Sequence, residues 1–512
     1  MIAVLFAVAS ALVWMPKWWR VAQREHYLPG SVNTTLFRWL ETTPVPNGGL
    51  ALGGLAGVAV TIPATGSGRI WPTACVAVIA AVTPVGLPLR GRTSKLRFTR
   101  RMKTTAALAL LIWGAALWLL SVFANPWSAA AICSLFGFVA LDAALAVAVP
   151  VEALLARRFQ RSAEERLGKV RPLVVAITGS CGKTSTKEHL AALLGPIRPT
   201  VASPASWNNQ AGLSRAINEH LTPSTEVFIA EMGTYGEGEI RRLCGWIKPE
   251  VVAITAIGPV HLERMGSVDR IVSAKMEIVG HAQTVVLNVD SPELAEQAER
   301  IADTHRVIRC SGKRDSAADV RVAADKNGEG LRLDYFAEAY PLGSLHPSVQ
   351  RSNVAVAAAL AVEAGLPSDR LAALIEDLET GEHRASVAVA GSGVTVIDNT
   401  FNSNPAGARE ALATLLEHSD EGRSVVVTPG MIELGSRQDS ENAEFARLVA
   451  ESGCELVVVG RTNRTALRRG ASAVGGIVIE VSSRDAATEW VRLNLSAGDG
   501  VLWENDLADH YA

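Results

Sequence analysis

Long apolar runs crowd the first 150 residues of the chain, and after residue 171 they give way to short β-rich runs alternating with amphipathic stretches. Five runs stand out. They begin with "MIAVLFAVASALVWMPKWWR", "GGLALGGLAGVAVTIPA" from Gly48, "IWPTACVAVIAAVTPVGLPL" from Ile70, "TAALALLIWGAALWLLSVFA" from Thr105 and "WSAAAICSLFGFVALDAALAVAVPV" from Trp127. The later ones reach the length of about 20 residues that a helix needs to cross the hydrocarbon core. The second is short and glycine-rich. Its Gly53–Gly57 stretch suits close helix packing, with a re-entrant or buried segment as the other reading. The opening run has no basic leader and no clear small-residue cleavage site, so it does not read as a removable signal. The pattern predicts a membrane region over residues 1–154 with about five transmembrane helices.

Beyond it, "LVVAITG", "TEVFIAEMG", "EVVAITAIG" and "QTVVLNVD" read as strands, with "KEHLAALLG" and "DRIVSAKMEIVGHA" as helices. Such alternation predicts an α/β domain, a mostly parallel sheet covered by helices, over residues 155–384. Within it, "ADVRVAADKNGEGLRLDYFAEAYPLGS" alternates and turns at Lys326–Gly330, which predicts a small antiparallel patch. A second set begins near residue 385. "GVTVIDN", "SVVVTPG", "CELVVVG", "GIVIEVS" and "DGVLWEN" are separated by the helical pieces "GAREALATLLEHS", "ENAEFARLVAESG" and "DAATEWVRLNLS". This predicts a Rossmann-like domain over residues 385–512.

Charge gives the membrane region a direction. Lys17, Arg20 and Arg24 follow the first run, "RGRTSKLRFTRRMK" separates the third from the fourth, and "RRFQRSAEERLGKVR" follows the fifth. The alternate loops, "GSGR" and "NP", carry almost no charge. Positive-inside bias then places the N-terminus outside and predicts a multi-pass cell-membrane protein with its α/β domains facing the cytoplasm. "VNTTLFRWLE", residues 32–41, reads either as a helix lying along the bilayer or as a loop. Asp142 is the one acidic residue within the apolar runs, a position that is either functional or turned toward a neighbouring helix. Across the whole chain, 49 basic and 51 acidic residues leave a formal charge of -2, which gives no support to nucleic-acid binding. Six scattered cysteines without CxxC spacing argue against structural zinc and a disulfide framework.

The stretch "AITGSCGKTSTKEHL", residues 176–190, lies between a strand pattern and a helix pattern. Gly179 and Gly182 let the backbone turn tightly and aim its N–H groups at phosphate oxygens, and the following helix adds its partly positive end. Lys183 is placed to reach the β- and γ-phosphates, and the Thr184 hydroxyl to hold Mg2+. The common loop pattern begins with glycine five residues before Gly182, where this chain has Ile177. We expect Gly179, Cys181, Gly182, Lys183, Thr184 and Ser185 together to bind ATP. Glu231 ends the run "TEVFIAE" and His261 follows "VVAITAIGPV", positions that commonly face the crevice of an open α/β sheet. With Thr184 they offer metal ligands. Lys275, in "VSAKMEI", would by spacing alone face solvent.

Residues 170–512 resemble the Mur ligase superfamily, being most similar to the branch that adds D-alanyl-D-alanine to a UDP-muramoyl tripeptide. The matching segments run in order: "TGSCGKTSTKE", "NNQAGL", "EMGTYGEGEI", "ITAIGPVHLERMGSVDRIVSAKMEI", "LNVD", "RSNVAVAAALAVEAG", "IDNTFNSNPAGAREAL" and "GMIELG". The resemblance implies that Lys183 and Thr184 serve the ATP phosphates and a magnesium ion, and that Glu231 and His261 hold a second magnesium. It implies a carbamylated Lys275 as a further metal ligand. Asn353 would lie beside the adenine, Arg384 would approach the phosphates at the domain junction, and Asp398, Asn402 and Asn404 belong to the loop that closes on the central domain.

The chain departs from the family pattern in places. Asn399 stands where a second acid is usual, Gln350 where the branch has a histidine–asparagine pair, and Pro429–Gly430 where Gly-Asp is usual. Gln350 is closer to the folyl-polyglutamate branch. Apolar runs occupy the place of the UDP-sugar-binding domain.

The resemblance implies an ATP-dependent ligase that joins a carboxylate to an amine through an acyl phosphate, releasing ADP and phosphate. The partners implied are ATP, a carboxylate-bearing envelope or lipid-linked substrate, an amino acid or other amine, and the lipid bilayer, with no nucleic acid. A poly-γ-glutamate or folate-like polyglutamate ligase remains open, as does a membrane scaffold whose ligase chemistry has decayed. Near the end, "WENDLADHY" places Glu504, Asp506 and Asp509 either against an ammonium group or in an exposed acidic tail.

Overall fold

The computed structural model describes the chain apart from residues 90, 92–95, 261, 281, 326–329, 344, 346–348, 379–385, 401–402, 419–421, 508–510 and 512. Two compact units emerge, one built on Met1–Leu155 and the other on Ala156–Val459 with Asn463–Asp506.

The first unit is helical. Among the described residues, three helices are long and apolar enough to cross a membrane: Ile2–Arg24, Arg100–Phe123 and Gly137–Val170. The runs from Gly48 and Ile70 form helices Gly49–Thr61 and Ile70–Val82, of 13 residues each. At 1.5 Å per residue each covers about 20 Å, less than the ~30 Å hydrocarbon core. Their glycines serve packing. A Cβ on Gly57 would lie 2.6 Å from Val76, and one on Gly54 would lie 2.8 Å from Leu135. The fifth run breaks in two. Asn125 caps helix Pro126–Leu135 by accepting from the Trp127 and Ser128 N–H groups at 3.0 and 2.9 Å. Gly137 then opens the next helix where a Cβ would sit 2.1 Å from the Trp14 ring.

Residues 32–41 are helical, within Ser31–Thr42. Val32, Thr35 and Trp39 form its buried stripe while Phe37 is exposed. Asp142 explains why this helix starts where it does. Its carboxylate accepts from the N–H groups of Gly30, Val32 and Asn33 at 3.0, 3.3 and 2.9 Å, so the acid turns inward and satisfies donors that a helix start leaves open. Lys17 does the converse, donating to the carbonyls of Ala81 and Val82 at the end of helix Ile70–Val82.

The second unit holds two sheets. The first has nine strands: β1 (Leu173–Thr178), β2 (Thr200–Ala202), β3 (Val227–Glu231), β4 (Val251–Ile254), β5 (Thr284–Asn288), β6 (Arg306–Ser311), β7 (Val320–Ala324), β8 (Leu331–Tyr335) and β9 (Glu338–Leu342). Their order is β2-β3-β1-β4-β5-β6-β7-β8-β9. The pairings from β2 to β7 are parallel, and β7-β8-β9 is an antiparallel meander. The antiparallel patch expected from the sequence thus extends the main sheet, with residues 326–329 of its turn outside the described residues.

Both faces of this sheet are covered, which is why its central strands read as unbroken apolar runs. Val175, Ile177, Ala253 and Val286 share one core with helix Arg351–Glu363. Val174, Ala176, Phe228, Val252 and Val285 share the other with helices Gln210–His220 and Glu239–Ile247. Helix Arg351–Glu363 buries every residue from Asn353 to Ala361. Its alanines let it press onto β4–β7 and onto helix Lys183–Leu194.

The second sheet contains β10 (Ser386–Val389), β11 (Thr395–Asn399), β12 (Ser424–Thr428), β13 (Glu455–Val459), β14 (Val478–Val481) and β15 (Gly500–Glu504), in the order β10-β11-β15-β12-β13-β14. All pairings except β10-β11 are parallel. With helices Pro405–His418, Gln438–Glu451 and Arg484–Asn494 between the strands, this is a mixed α/β architecture throughout the unit.

Candidate active site

β1 lies between β3 and β4, although neither is its neighbour in sequence. The chain therefore leaves β1 at a switch point, where open α/β sheets form their ligand crevice. The loop after β1 is shaped by two close approaches. A Cβ on Gly179 would sit 2.0 Å from Thr255 Oγ1. Gly182 has φ +79°, and a Cβ there would meet Asn353 Oδ1 at 2.4 Å, so glycine is required at both points. Thr255 and Ser180 lock the loop to the segment after β4. The Thr255 hydroxyl donates to the Cys181 carbonyl. The Ser180 N–H donates to the Ala256 carbonyl at 2.8 Å, and its hydroxyl donates to the Gly258 carbonyl while accepting from the Gly258 N–H. Helix Lys183–Leu194 begins immediately, aiming its open N–H groups at the loop. The Lys183 ammonium folds back onto the Gly179 carbonyl at 2.7 Å.

At the end of β3, Glu231 is 1% exposed. Its Oε2 accepts from the Thr184 hydroxyl at 2.9 Å and from Lys187 Nζ at 3.2 Å, and its Oε1 accepts from Asn208 Nδ2 at 3.1 Å. Lys187 Nζ also donates to the Ala205 carbonyl at 2.6 Å. The Lys187–Glu231 pair is buried on both sides, and removing one partner of such a pair costs about 3–5 kcal/mol. Lys187 and Asn208 were not singled out in the sequence. Lys187 stands one helical turn after Lys183, and that spacing was the available signal.

Lys275 is not the solvent-facing lysine that spacing suggests. Its helix, Val268–Met276, buries it to 5% exposure. Burial, reinforced by the nearby Lys183 charge and opposed by Cys181, lowers its pKa to about 7.

A cavity of about 820 Å³ opens beside the loop. Cys181, Gly182, Lys183, Thr184, Ser185 and Asn353 line one wall, and Asn399, Asn404 and Glu410 contribute from the second sheet and its first helix. Asn404 also caps that helix, accepting from the Ala406 and Gly407 N–H groups. Asp398 closes the turn after β11 by accepting from the Thr400 N–H and hydroxyl at 3.0 and 2.6 Å. His261, Arg384 and Asn402 lie outside the described residues.

Glu504 does not belong to an exposed tail. It is fully buried, and its carboxylate accepts from Asn399 Nδ2 at 2.6 Å and from the Ser403 hydroxyl. Burial pushes its pKa up to about 7 against the pull of those two bonds. Asp506 is half-buried and Asp509 lies outside the described residues. The Gly430 departure has a steric reason as well. Its φ is +80°, and a Cβ there would lie 2.4 Å from Asn442 Oδ1 and 2.8 Å from Asn463, leaving no room for an aspartate.

The site suits magnesium and a nucleotide. The Thr184 hydroxyl and the Glu231 carboxylate are hard oxygen donors placed together at the mouth of the loop. Magnesium typically takes one or two carboxylates and completes its shell with phosphates and water. Among the described residues, no three His, Cys, Asp or Glu side chains cluster.

Loop, crevice and covering second sheet define a two-domain, phosphate-loop α/β protein. Residues 177–361 match the Mur ligase middle domain, and residues 383–504 match the Mur ligase glutamate ligase domain. The UDP-N-acetylmuramoyl-tripeptide--D-alanyl-D-alanine ligase of Mycobacterium tuberculosis (strain CDC 1551 / Oshkosh) is 33% identical over 358 residues, covering 64% of this chain and 69% of that protein. Its counterpart from Synechocystis is 31% identical over 339 residues, covering 65% and 71%. The MurF ligase of Thermotoga maritima in complex with ADP shares the fold with a TM-score of 0.58 at 24% identity, over 69% of this chain and 80% of that one. The chain belongs to the Mur ligase family. It spans roughly two thirds of the length of the relatives it matches, 66% for the ligase of Mycobacterium bovis.

Proposed function

We propose that the protein is a membrane-anchored, ATP-dependent ligase that joins a carboxylate on a cell-envelope or lipid-linked precursor to an amine. The observation that carries this reading is Thr184, which lines a cleft between the phosphate loop and the second domain and is tied by its hydroxyl to the buried Glu231–Lys187 pair behind it. The relatives named above act on a UDP-muramoyl tripeptide, which supports a peptide carboxylate as the acceptor. The three long apolar helices support delivery at a membrane.

In this mechanism a carboxylate oxygen attacks the γ-phosphorus of ATP, the bond to the ADP oxygen breaks, and an acyl phosphate forms. The amine nitrogen then attacks the acyl carbon, expels phosphate and gives up a proton. Lys183 offsets charge on the transferring phosphoryl group, and the helix start behind it adds N–H donors. Magnesium, when bound, supplies further charge compensation. Thr184 and Glu231 would hold it, with His261 and a carbamylated Lys275 as the resemblance implies. Carbamylation requires the neutral amine, and a pKa near 7 makes that form available to Lys275 at neutral pH. The second domain orients the amine and keeps water from the acyl phosphate.

The test incubates detergent-solubilised protein with ATP, magnesium, bicarbonate and pooled envelope extract. Mass spectrometry should find a conjugate lighter than its two parts by one water, formed with one ADP per bond. ADP release without a conjugate would overturn the ligase reading. A ladder of successive additions would move the assignment to a polyglutamate-type ligase, the reading that Gln350 favours.

A further inference from the structure

Gln350 replaces a usual feature of the family branch, and its surroundings give it a task. It sits at the N-terminal boundary of helix Arg351–Glu363, on the nucleotide wall of the cleft. Its Nε2 donates to Glu410 Oε2, on helix Pro405–His418 of the opposite wall. Its Oε1 accepts from Asn353 Nδ2 at 2.7 Å. Asn353 in turn presses Oδ1 against Gly182 of the phosphate loop, where a Cβ would lie 2.4 Å away.

The direction of this chain is chemically determined. An ionised carboxylate only accepts hydrogen bonds. Glu410 therefore draws the NH2 end of the Gln350 amide, which leaves the Gln350 oxygen facing Asn353. That oxygen draws the NH2 end of Asn353, which leaves the Asn353 oxygen facing the loop. A carboxylate on the second domain thus sets the orientation of an amide that touches the phosphate loop on the first.

We propose that Gln350 and Glu410 are positioning residues of the nucleotide site, a two-step relay through which the second domain fixes Asn353 against the phosphate loop and so raises nucleotide affinity. The inference rests on the reading of the cleft as an ATP site.

The relay makes an unusual prediction about exchange. Gln350→Glu alone sets two carboxylates against each other, and Glu410→Gln alone removes the acceptor that orients the chain. In the double variant, the amide at position 410 donates to the carboxylate at position 350, whose second oxygen still accepts from Asn353. The experiment titrates full-length, detergent-solubilised protein with ATP by calorimetry and records Tm for each variant. Each single variant should bind ATP on the order of tenfold more weakly, with Tm kept near the wild-type value. The double variant should recover to within about threefold of wild type. Single variants that bind like wild type would overturn the relay, as would a double variant no better than either single one. A fall in affinity that merely tracks a fall in Tm would also overturn it, by reducing the pair to a fold contact. Failure of the wild type to bind ATP would instead overturn the nucleotide reading on which the relay stands.

Discussion

Both units of this protein bury charge, and they use it in opposite ways. In the helical unit, Asp142 gives its carboxylate to three backbone N–H groups and Lys17 gives its ammonium to two backbone carbonyls. Each closes a helix end, so its hydrogen-bonding capacity goes to the backbone. In the α/β unit, Glu231 is held by side chains instead: Thr184, Lys187 and Asn208. Side chains can change partners when a phosphate or cation arrives, whereas a helix end cannot be released without fraying the helix. Buried charge alone is therefore a poor sign of function. What separates the two cases is whether its partners belong to the backbone or to side chains, one of which, Thr184, lines the cleft.

The largest effect that should divide the two units is at Lys183. Lys183→Ala removes the positive charge that the proposed mechanism sets against the transferring phosphoryl group and should lower the rate of ADP release by on the order of a thousandfold. Extraction from membranes and Tm in detergent should stay unchanged, because the helical unit is untouched. Turnover equal to wild type would show that this loop is not the catalytic phosphate site.

Lys275 sharpens the same contrast, since it is a buried cation that the proposed mechanism converts into an anion. Lys275→Ala should lose roughly a hundredfold in turnover, and a high concentration of a short carboxylic acid should restore part of it. Removing bicarbonate should slow the wild type and leave the rescued variant unaffected. A fully active Lys275→Ala protein would take carbamylation out of the mechanism while leaving the phosphate loop in place.

Much of the second unit was legible in the sequence, because strands buried on both faces read as short apolar runs. "LVVAITG" became β1 and "DGVLWEN" became β15 with little change at their edges. Lys187, Asn208 and Glu410 were not legible. Their meaning comes from elements far apart in sequence: Lys187 and Asn208 meet Glu231 at the end of β3, and Glu410 meets Gln350 at the start of helix Arg351–Glu363. Glu504 was misjudged for a related reason. Closeness to the C-terminus suggested exposure, but pairing of β15 between β11 and β12 draws its last residue into the core. In the first unit hydropathy found the apolar runs but not their lengths as helices. Hydropathy does not register that Gly57 must admit Val76, or that Gly137 must admit Trp14.

Asp142 tests the closed kind of buried charge. Asp142→Ala would leave three helix-starting N–H groups without their acceptor and should cost about 3–4 kcal/mol of stability in the helical unit. The measurement is thermal unfolding in detergent, combined with ADP release per folded molecule. Stability should fall while specific turnover holds. A fall in turnover at full stability would make Asp142 a functional acid and erase the distinction drawn between the units.

Glu504 is the intermediate case, a fully buried acid held by the side chains of Asn399 and Ser403, and its effect, read as a pH slope rather than a loss of activity, should be the smallest. Its carboxyl titrates near 7 in the folded protein, raised from an ordinary value of 4.5 by burial that outweighs the Asn399 and Ser403 bonds. Between those two pH values the native state holds a proton that the unfolded chain has released, so raising the pH favours unfolding. Stability should therefore decline from pH 4.5 to about 7 and show no further slope from this group above that range. The full effect is at most about 3–4 kcal/mol, reached only across the whole of that range, since each tenfold step in proton affinity is worth about 1.4 kcal/mol. Glu504→Gln keeps the shape, removes the titration and should flatten the decline in Tm measured between about pH 5 and 8. An unchanged slope would mean that the carboxyl is already ionised in the fold at low pH. The Asn399–Ser403 contacts would then outweigh burial, and Glu504 would join Asp142 among charges whose partners fully satisfy them.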